Sequence, residues 1–218
     1  MSFLNPLSLL AIAASYLLGS LSFAVIVSKV LGMADPRSYG SKNPGATNVL
    51  RSGRKGAALA TLLLDALKGW LPVFLIVQFG AGHGMGLDTA ALAGLAAFLG
   101  HLYPVFFRFQ GGKGVATAAG VLVGVAPLLG LATGLTWLIV AVFFRYSSLA
   151  SLAAAFFAPA YYLIGGGIAW PLDAIALLAL VVMSLLLVWR HRENIRRLMA
   201  GTESKLGAKS VPKNAGGN

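Results

Sequence analysis

Three short stretches of this sequence concentrate side chains able to bind an oxyanion. The first reads Asp35-Pro-Arg-Ser-Tyr-Gly-Ser-Lys-Asn-Pro-Gly-Ala-Thr-Asn-Val-Leu-Arg51. Within it Gly40, Ser41, Asn43, Gly45, Thr47 and Asn48 are turn formers or small hydroxyl and amide donors, and Lys42, Arg51, Arg54 and Lys55 supply positive charge. Glycines let consecutive backbone N–H groups turn toward one anion. An ordinary polar loop would also be basic, but this density of small donors favours an oxyanion site. The second stretch is Arg108-Phe-Gln-Gly-Gly-Lys-Gly114, followed by Val-Ala-Thr117 at the start of an apolar run. It is not a Walker A loop, which needs Gly-Lys-Ser/Thr between a strand and a helix. Gly111, Gly112 and Lys113 ahead of a helix still suit a phosphate, or simply a tight turn. The third stretch is Arg190-His191-Arg192-Glu193-Asn194-Ile195-Arg196-Arg197-Leu198. His191 and Asn194 are three apart and share a helix face; the same basic helix would also be drawn to anionic lipid.

Other polar residues invite blander readings. His101 lies in an apolar segment, where a lone histidine is expected to be a hydrogen-bonded packing residue. Asp65 and Lys68 are also three apart and read as a neutralised pair that docks its helix, although ionisable residues within a membrane are usually functional. His83 and Asp88 have the spacing of a His-Asp general-base pair. They fall in a loop on the opposite side from the basic motifs and read as coincidence.

The elements that position these motifs follow from composition. The chain has 218 residues, 58% hydrophobic and 11% charged, with mean hydropathy +0.82. Soluble domains carry roughly 25% charged residues. A soluble nucleic-acid binder is therefore excluded despite the net charge of +11, and the chain reads as an all-α integral membrane protein. It has no cysteine, hence no disulfide and no thiolate nucleophile. The first charge, Lys29, comes after the first apolar run, which argues against a cleaved signal peptide. A bilayer core takes about 20 helical residues. Candidate spans are 4–28, 57–79, 89–107, 149–164 and 172–189, with an uncharged stretch over 115–144. One helix over 115–144 would be about 45 Å long, and the alternative is two helices turned near 127–134.

Charge sidedness decides for two. Lys and Arg mark the cytoplasmic side. Seven spans, with the N-terminus outside and the C-terminus cytoplasmic, put 29–56, 108–114, 145–148 and 190–218 inside. Those segments hold six, two, one and seven basic residues, all but Lys68 of the 17 in the chain. Residues 1–206 form a single membrane domain in this reading, and 207–218 is expected to be a disordered tail.

Taken in order, several runs resemble one family. They are Gly19-Ser20, Gly-Ser-x-Asn-x-Gly-Ala-Thr-Asn (40–48), Leu-Asp-x-x-Lys-Gly (64–69), Gly-His-x-Tyr-Pro-Val-Phe (100–106), Gly-Gly-Lys-Gly-Val-Ala-Thr (111–117), Arg145-Tyr-x-Ser-Leu-Ala-Ser151 and Arg-His-x-x-Asn-Ile-x-Arg-Leu (190–198). Together they are similar to the bacterial acyl-phosphate:glycerol-3-phosphate acyltransferases, the PlsY family. Lys42 departs from the pattern, which more often has Gly there. The resemblance implies acyl transfer from acyl phosphate to the 1-hydroxyl of glycerol 3-phosphate at the cytoplasmic face of the bacterial inner membrane. The donor is already activated, so alignment and charge stabilisation suffice without an acyl-enzyme.

On that resemblance, Ser41, Asn43, Gly45, Thr47 and Asn48 cradle the acyl-phosphate head group, with Gly111 and Gly112 also on the substrate. Arg51, Lys113, His191 and Asn194 bind glycerol 3-phosphate, and Ser148 or Ser151 completes the pocket. His191 is the evident protein base; a donor phosphate oxygen is the alternative. The expected partners are the two substrates and membrane lipid, with the enzyme that makes acyl phosphate as a further candidate; no cofactor, metal or nucleic acid is expected. A transporter of phosphorylated solutes would place its polar groups near the midplane in paired repeats, and no repeat is seen. A lipid-binding scaffold would leave three donor-rich segments unexplained.

Overall fold

The computed structural model describes residues 5–207, and the expected tail falls, Gly207 apart, outside the described residues. Among those residues the chain is helical, with a lone β-bridge between Gly166 and Trp170. The helices are α1 Pro6–Gly19, α2 Phe23–Val30, α3 Ala46–Leu50, α4 Lys55–Phe79, α5 Leu87–Leu102, α6 Val115–Val125, α7 Pro127–Phe144, α8 Ser147–Gly165, α9 Ala174–Arg190 and α10 Arg192–Met199.

Among the described residues four segments are long and apolar enough to cross a membrane: α4, α5 with its short extension to Phe107, α7 and α8. Two bent pairs, α1 with α2 and α9 with α10, bring the number to six if each pair is one span. The stretch over 115–144 does divide in two, at Ala126 and Pro127, where proline removes a backbone donor and opens a new helix. Helix α6 has 11 residues, about 16 Å, roughly half a bilayer core.

The stretch 4–28, expected as one span, instead bends by 46° between α1 and α2. The break frees the Leu21 carbonyl, which accepts a hydrogen bond from Lys68 Nζ at 2.6 Å. Lys68 also pairs with Asp65 at 2.8 Å, and both side chains are buried. The expected intrahelical pair is thus present, and it docks α4 onto the break.

Helix α4 is central, packing on α5 and α6, while α1 lies on α5, α7 on α8, and α9 on α5 and α8. The α4–α6 contact depends on small residues. A Cβ on Gly120 would lie 1.9 Å from the Ala66 carbonyl oxygen, and one on Gly69 would lie 2.2 Å from that of Thr117. Without a strong hydrophobic drive between helices in lipid, such close backbone packing supplies the association energy. Large side chains on α7, including Leu138, Ile139, Val142 and Phe143, stay exposed, as a lipid-facing helix requires.

Candidate active site

One end of the bundle is built by three segments: the 31–54 connection, the 103–114 connection and the α9–α10 junction with the residues after it. Asn48, on α3, organises the first. Its Oδ1 accepts from the Ser41 N–H at 2.9 Å, and its Nδ2 donates to the carbonyls of Pro36 at 2.7 Å and Tyr39 at 3.2 Å. Asn48 lines the cavity, but its amide is spent holding the loop, so it presents Ser41, Asn43 and Thr47 rather than acting as a free donor. The backbone nest expected here does not form at Ser41, Lys42 or Gly45. Their N–H groups bond to Asn48 Oδ1, the Tyr39 carbonyl and the Asn43 carbonyl.

The glycine-lysine segment differs from expectation in a similar way. Gly111 and Gly112 are buried and do not line the cavity. Their carbonyls accept from Arg190 at 2.8 to 3.1 Å, and the Gly112 N–H donates to the His101 carbonyl. A Cβ on Gly112 would lie 2.2 Å from His101 Nε2, so only glycine fits. These two residues therefore fix a tight turn, with no amide at Gly112 left for an anion. What the turn delivers is Lys113, whose Nζ donates to Asn194 Oδ1. Burial, with the Arg197 charge next, pulls the Lys113 ammonium down to about 8.

At the α9–α10 junction His191 is buried, with Nδ1 2.8 Å from the Leu187 carbonyl oxygen. A carbonyl only accepts, so Nδ1 carries the proton and Nε2 presents a lone pair. Burial, reinforced by Lys113, pulls the imidazolium down to about 4, so the ring is neutral at pH 7. Ser148 and Asn194 both donate to Glu203 Oε1 at 2.6 Å, and Arg197 Nε donates to Oε2 at 2.7 Å. Ser151 donates to the Ser147 carbonyl and accepts from Trp137 Nε1 at 3.1 Å. Arg51 reaches Ser204 Oγ at 2.6 Å.

These groups share one cavity of about 560 Å³, within the usual range for a ligand site. Its wall joins Ser41, Asn43, Gly45, Thr47, Asn48, Arg51, Lys113, Ser148, Ser151, His191 and Asn194. Of the residues expected at the site, only Gly111 and Gly112 stand behind the wall. Beyond the polar end the cavity continues as an apolar trench along Ala118, Leu122, Trp137, Ala155, Leu180, Met183 and Leu187. His101 also lines it, with Nδ1 3.5 Å from Asp65 Oδ1. His83 and Asp88 do not, and they sit beyond the far end of α4.

Sequence reasoning missed Glu203 and the clamp made by Arg190. Glu203 is one of six acidic residues in the chain and stands among basic ones, a usable signal. No periodicity links a residue after the last helix to Ser148.

The model of the family described as Glycerol-3-phosphate acyltransferase matches residues 9–201. The chain belongs to that family. A relative from Albidiferax ferrireducens named glycerol-3-phosphate acyltransferase is 68% identical, over 89% of this chain and 87% of its own. One of the same name from Burkholderia pseudomallei is 64% identical over 92% and 96%. Among solved structures, PlsY, an integral membrane glycerol 3-phosphate acyltransferase, matches in its glycerol 3-phosphate form with TM-score 0.83 and 40% identity, over 92% of this chain and 96% of that one. Its lysophosphatidic acid form matches with TM-score 0.81. The chain is accordingly a membrane protein of PlsY type.

Proposed function

We propose that this protein transfers a fatty acyl group from acyl phosphate to the 1-hydroxyl of glycerol 3-phosphate, giving 1-acyl-glycerol 3-phosphate and inorganic phosphate. The observation that carries the reading is the two-ended cavity. Its polar end offers Lys113 and Arg51 to phosphate, and its apolar trench suits an acyl chain. Relatives that act on glycerol 3-phosphate set the acceptor. The basic polar end suits a donor whose leaving group is phosphate.

Transfer is direct in this proposal. The 1-hydroxyl oxygen bonds to the donor's carbonyl carbon, the C–O bond to phosphate breaks, and phosphate leaves with the electron pair. The hydroxyl proton passes to His191 Nε2 or to a phosphate oxygen of the donor. Lys113, held near 8 and so mostly protonated at pH 7, balances the charge that grows on the leaving phosphate. Ser41, Asn43 and Thr47 hold the donor's head group, and Arg51, Ser148 and Asn194 hold the acceptor.

The protein sits in the bacterial inner membrane with this site facing the cytoplasm, in a seven-span topology with the N-terminus outside. Positive-inside charge supports that orientation, with α6 as a half-length span. The test uses detergent-purified protein with palmitoyl phosphate and glycerol 3-phosphate, following phosphate release and lysophosphatidate by mass. Phosphate release that requires glycerol 3-phosphate and disappears in Lys113→Ala supports the reading. Turnover only with palmitoyl-CoA or an acyl carrier protein thioester would overturn the donor.

A further inference from the structure

Glycerol 3-phosphate brings two opposite demands to a buried site. Its phosphate needs donors, and its two hydroxyls need acceptors for their protons. The polar end is rich in donors. Among its acceptors Asn194 Oδ1 already takes Lys113, Asn48 Oδ1 the Ser41 N–H, and Ser151 Oγ Trp137 Nε1, and neutral oxygens accept more weakly than a charged one. Asp65 is paired with Lys68. The remaining carboxylate on the wall is Glu203, whose side chain is 5% exposed. It receives three hydrogen bonds, and a carboxylate has about four acceptor positions.

We propose that Glu203 is a specificity-determining residue of the acceptor site, its carboxylate accepting a hydrogen bond from the 2-hydroxyl of glycerol 3-phosphate. Two observations choose that hydroxyl over the one that reacts. Burial pushes the Glu203 carboxyl up, but hydrogen bonds from Ser148, Asn194 and Arg197 outweigh it and hold it below its ordinary value. Such a group stays ionised and is a poor proton acceptor in reaction, which suits a hydroxyl that keeps its proton. The hydroxyl that loses its proton has the His191 lone pair, or a donor oxygen, to turn to. Ser148 and Asn194 join the two roles, since both touch Glu203 and both belong to the proposed acceptor site.

The inference rests on the acceptor assigned above, and its test separates the two. Purified wild type is first assayed with palmitoyl phosphate and glycerol 3-phosphate; absence of turnover in folded protein removes the functional reading itself. With turnover present, kcat/KM is compared for glycerol 3-phosphate and for 3-hydroxypropyl phosphate, which lacks the 2-hydroxyl. Wild type should prefer glycerol 3-phosphate by at least about tenfold, the value of a hydrogen bond to a charged group. Glu203→Gln should lower that preference about tenfold, chiefly by losing glycerol 3-phosphate turnover. Glu203→Asp, which keeps the charge but withdraws it by one methylene, should retain part of the preference and serves if the glutamine variant does not fold. Equal preference in wild type and variants overturns the proposal. So does a variant that binds glycerol 3-phosphate more tightly at unchanged preference, since Glu203 would then merely occupy the empty site.

Discussion

Lys68 and Lys113 are both shielded lysines anchored by hydrogen bonds, yet they have opposite electrostatic settings. Lys68 meets Asp65 at 2.8 Å and the Leu21 carbonyl at 2.6 Å, so its charge is cancelled by the fold. Lys113 meets the neutral amide of Asn194, with Arg197 and Arg190 adding like charge around it. Glu203 and Glu193 are close enough to oppose them, but the hydrogen bonds of Glu203 go to Ser148, Asn194 and Arg197. A buried ion pair is neutral toward any ligand, and breaking it is costly. A cation without its own carboxylate leaves its counter-charge for a substrate to supply. The contrast separates a lysine that assembles helices from one that receives an anion.

Exchanging the two losses is the strongest way to break that contrast. Lys113→Ala should lower kcat/KM at least about 10³-fold, or about 4 kcal/mol, and leave the melting temperature nearly unchanged. Lys68→Ala should do the reverse, costing about 3 kcal/mol or more in stability because Asp65 is left buried and unpaired. Its activity per folded molecule should stay within about tenfold. Thermal unfolding and steady-state kinetics on both variants decide the matter. Equal loss of activity in the two would erase the distinction. Removing both partners, as Asp65→Leu with Lys68→Met, should recover part of the lost stability.

The pH profile sharpens the same comparison. Lys113 is held near 8, so it carries its charge below that pH and loses it above. kcat/KM for the phosphate substrates should then be level up to about pH 8 and fall about tenfold per unit beyond it. Lys113→Arg, if active, should carry that limb beyond pH 10, since guanidinium keeps its proton. His191 is held near 4 and is neutral across the neutral range, so it should add no inflection near its ordinary value of about 6.5 beyond that of the substrate phosphate, whose second pKa is about 6. The smallest effect belongs to a third ion pair, Arg37 with Asp35 at 2.7 Å, which is partly exposed. Asp35→Asn should change stability by less than about 1 kcal/mol, read from the same thermal unfolding.

The motif residues were legible because their chemistry is local. Lysine between glycines, small donors in a turn, and His191 three residues before Asn194 are patterns of sequence. Of the residues expected at the site, all but Gly111 and Gly112 line one cavity. Those two stand behind its wall, and a glycine that approaches a phosphate looks the same in sequence as one that lets Arg190 and His101 pack against it. The bend after Gly19 was hidden for a related reason. Serines at 20 and 22 do not break a helix by propensity alone, and the break is matched to Lys68, 47 residues away from Leu21.

By itself the sequence determined the solvent, the division of 115–144 into two helices, and which residues carry donors and charge. Those properties follow from hydropathy, the sidedness of Lys and Arg, and side-chain chemistry, which are read from residue types and their order. Only the tertiary structure decided that Asn48 is spent on its own loop, that Lys113 is held by Asn194, and that Glu203 gathers Ser148, Asn194 and Arg197. Each of these depends on distances between atoms far apart in the chain, and helix packing sets such distances.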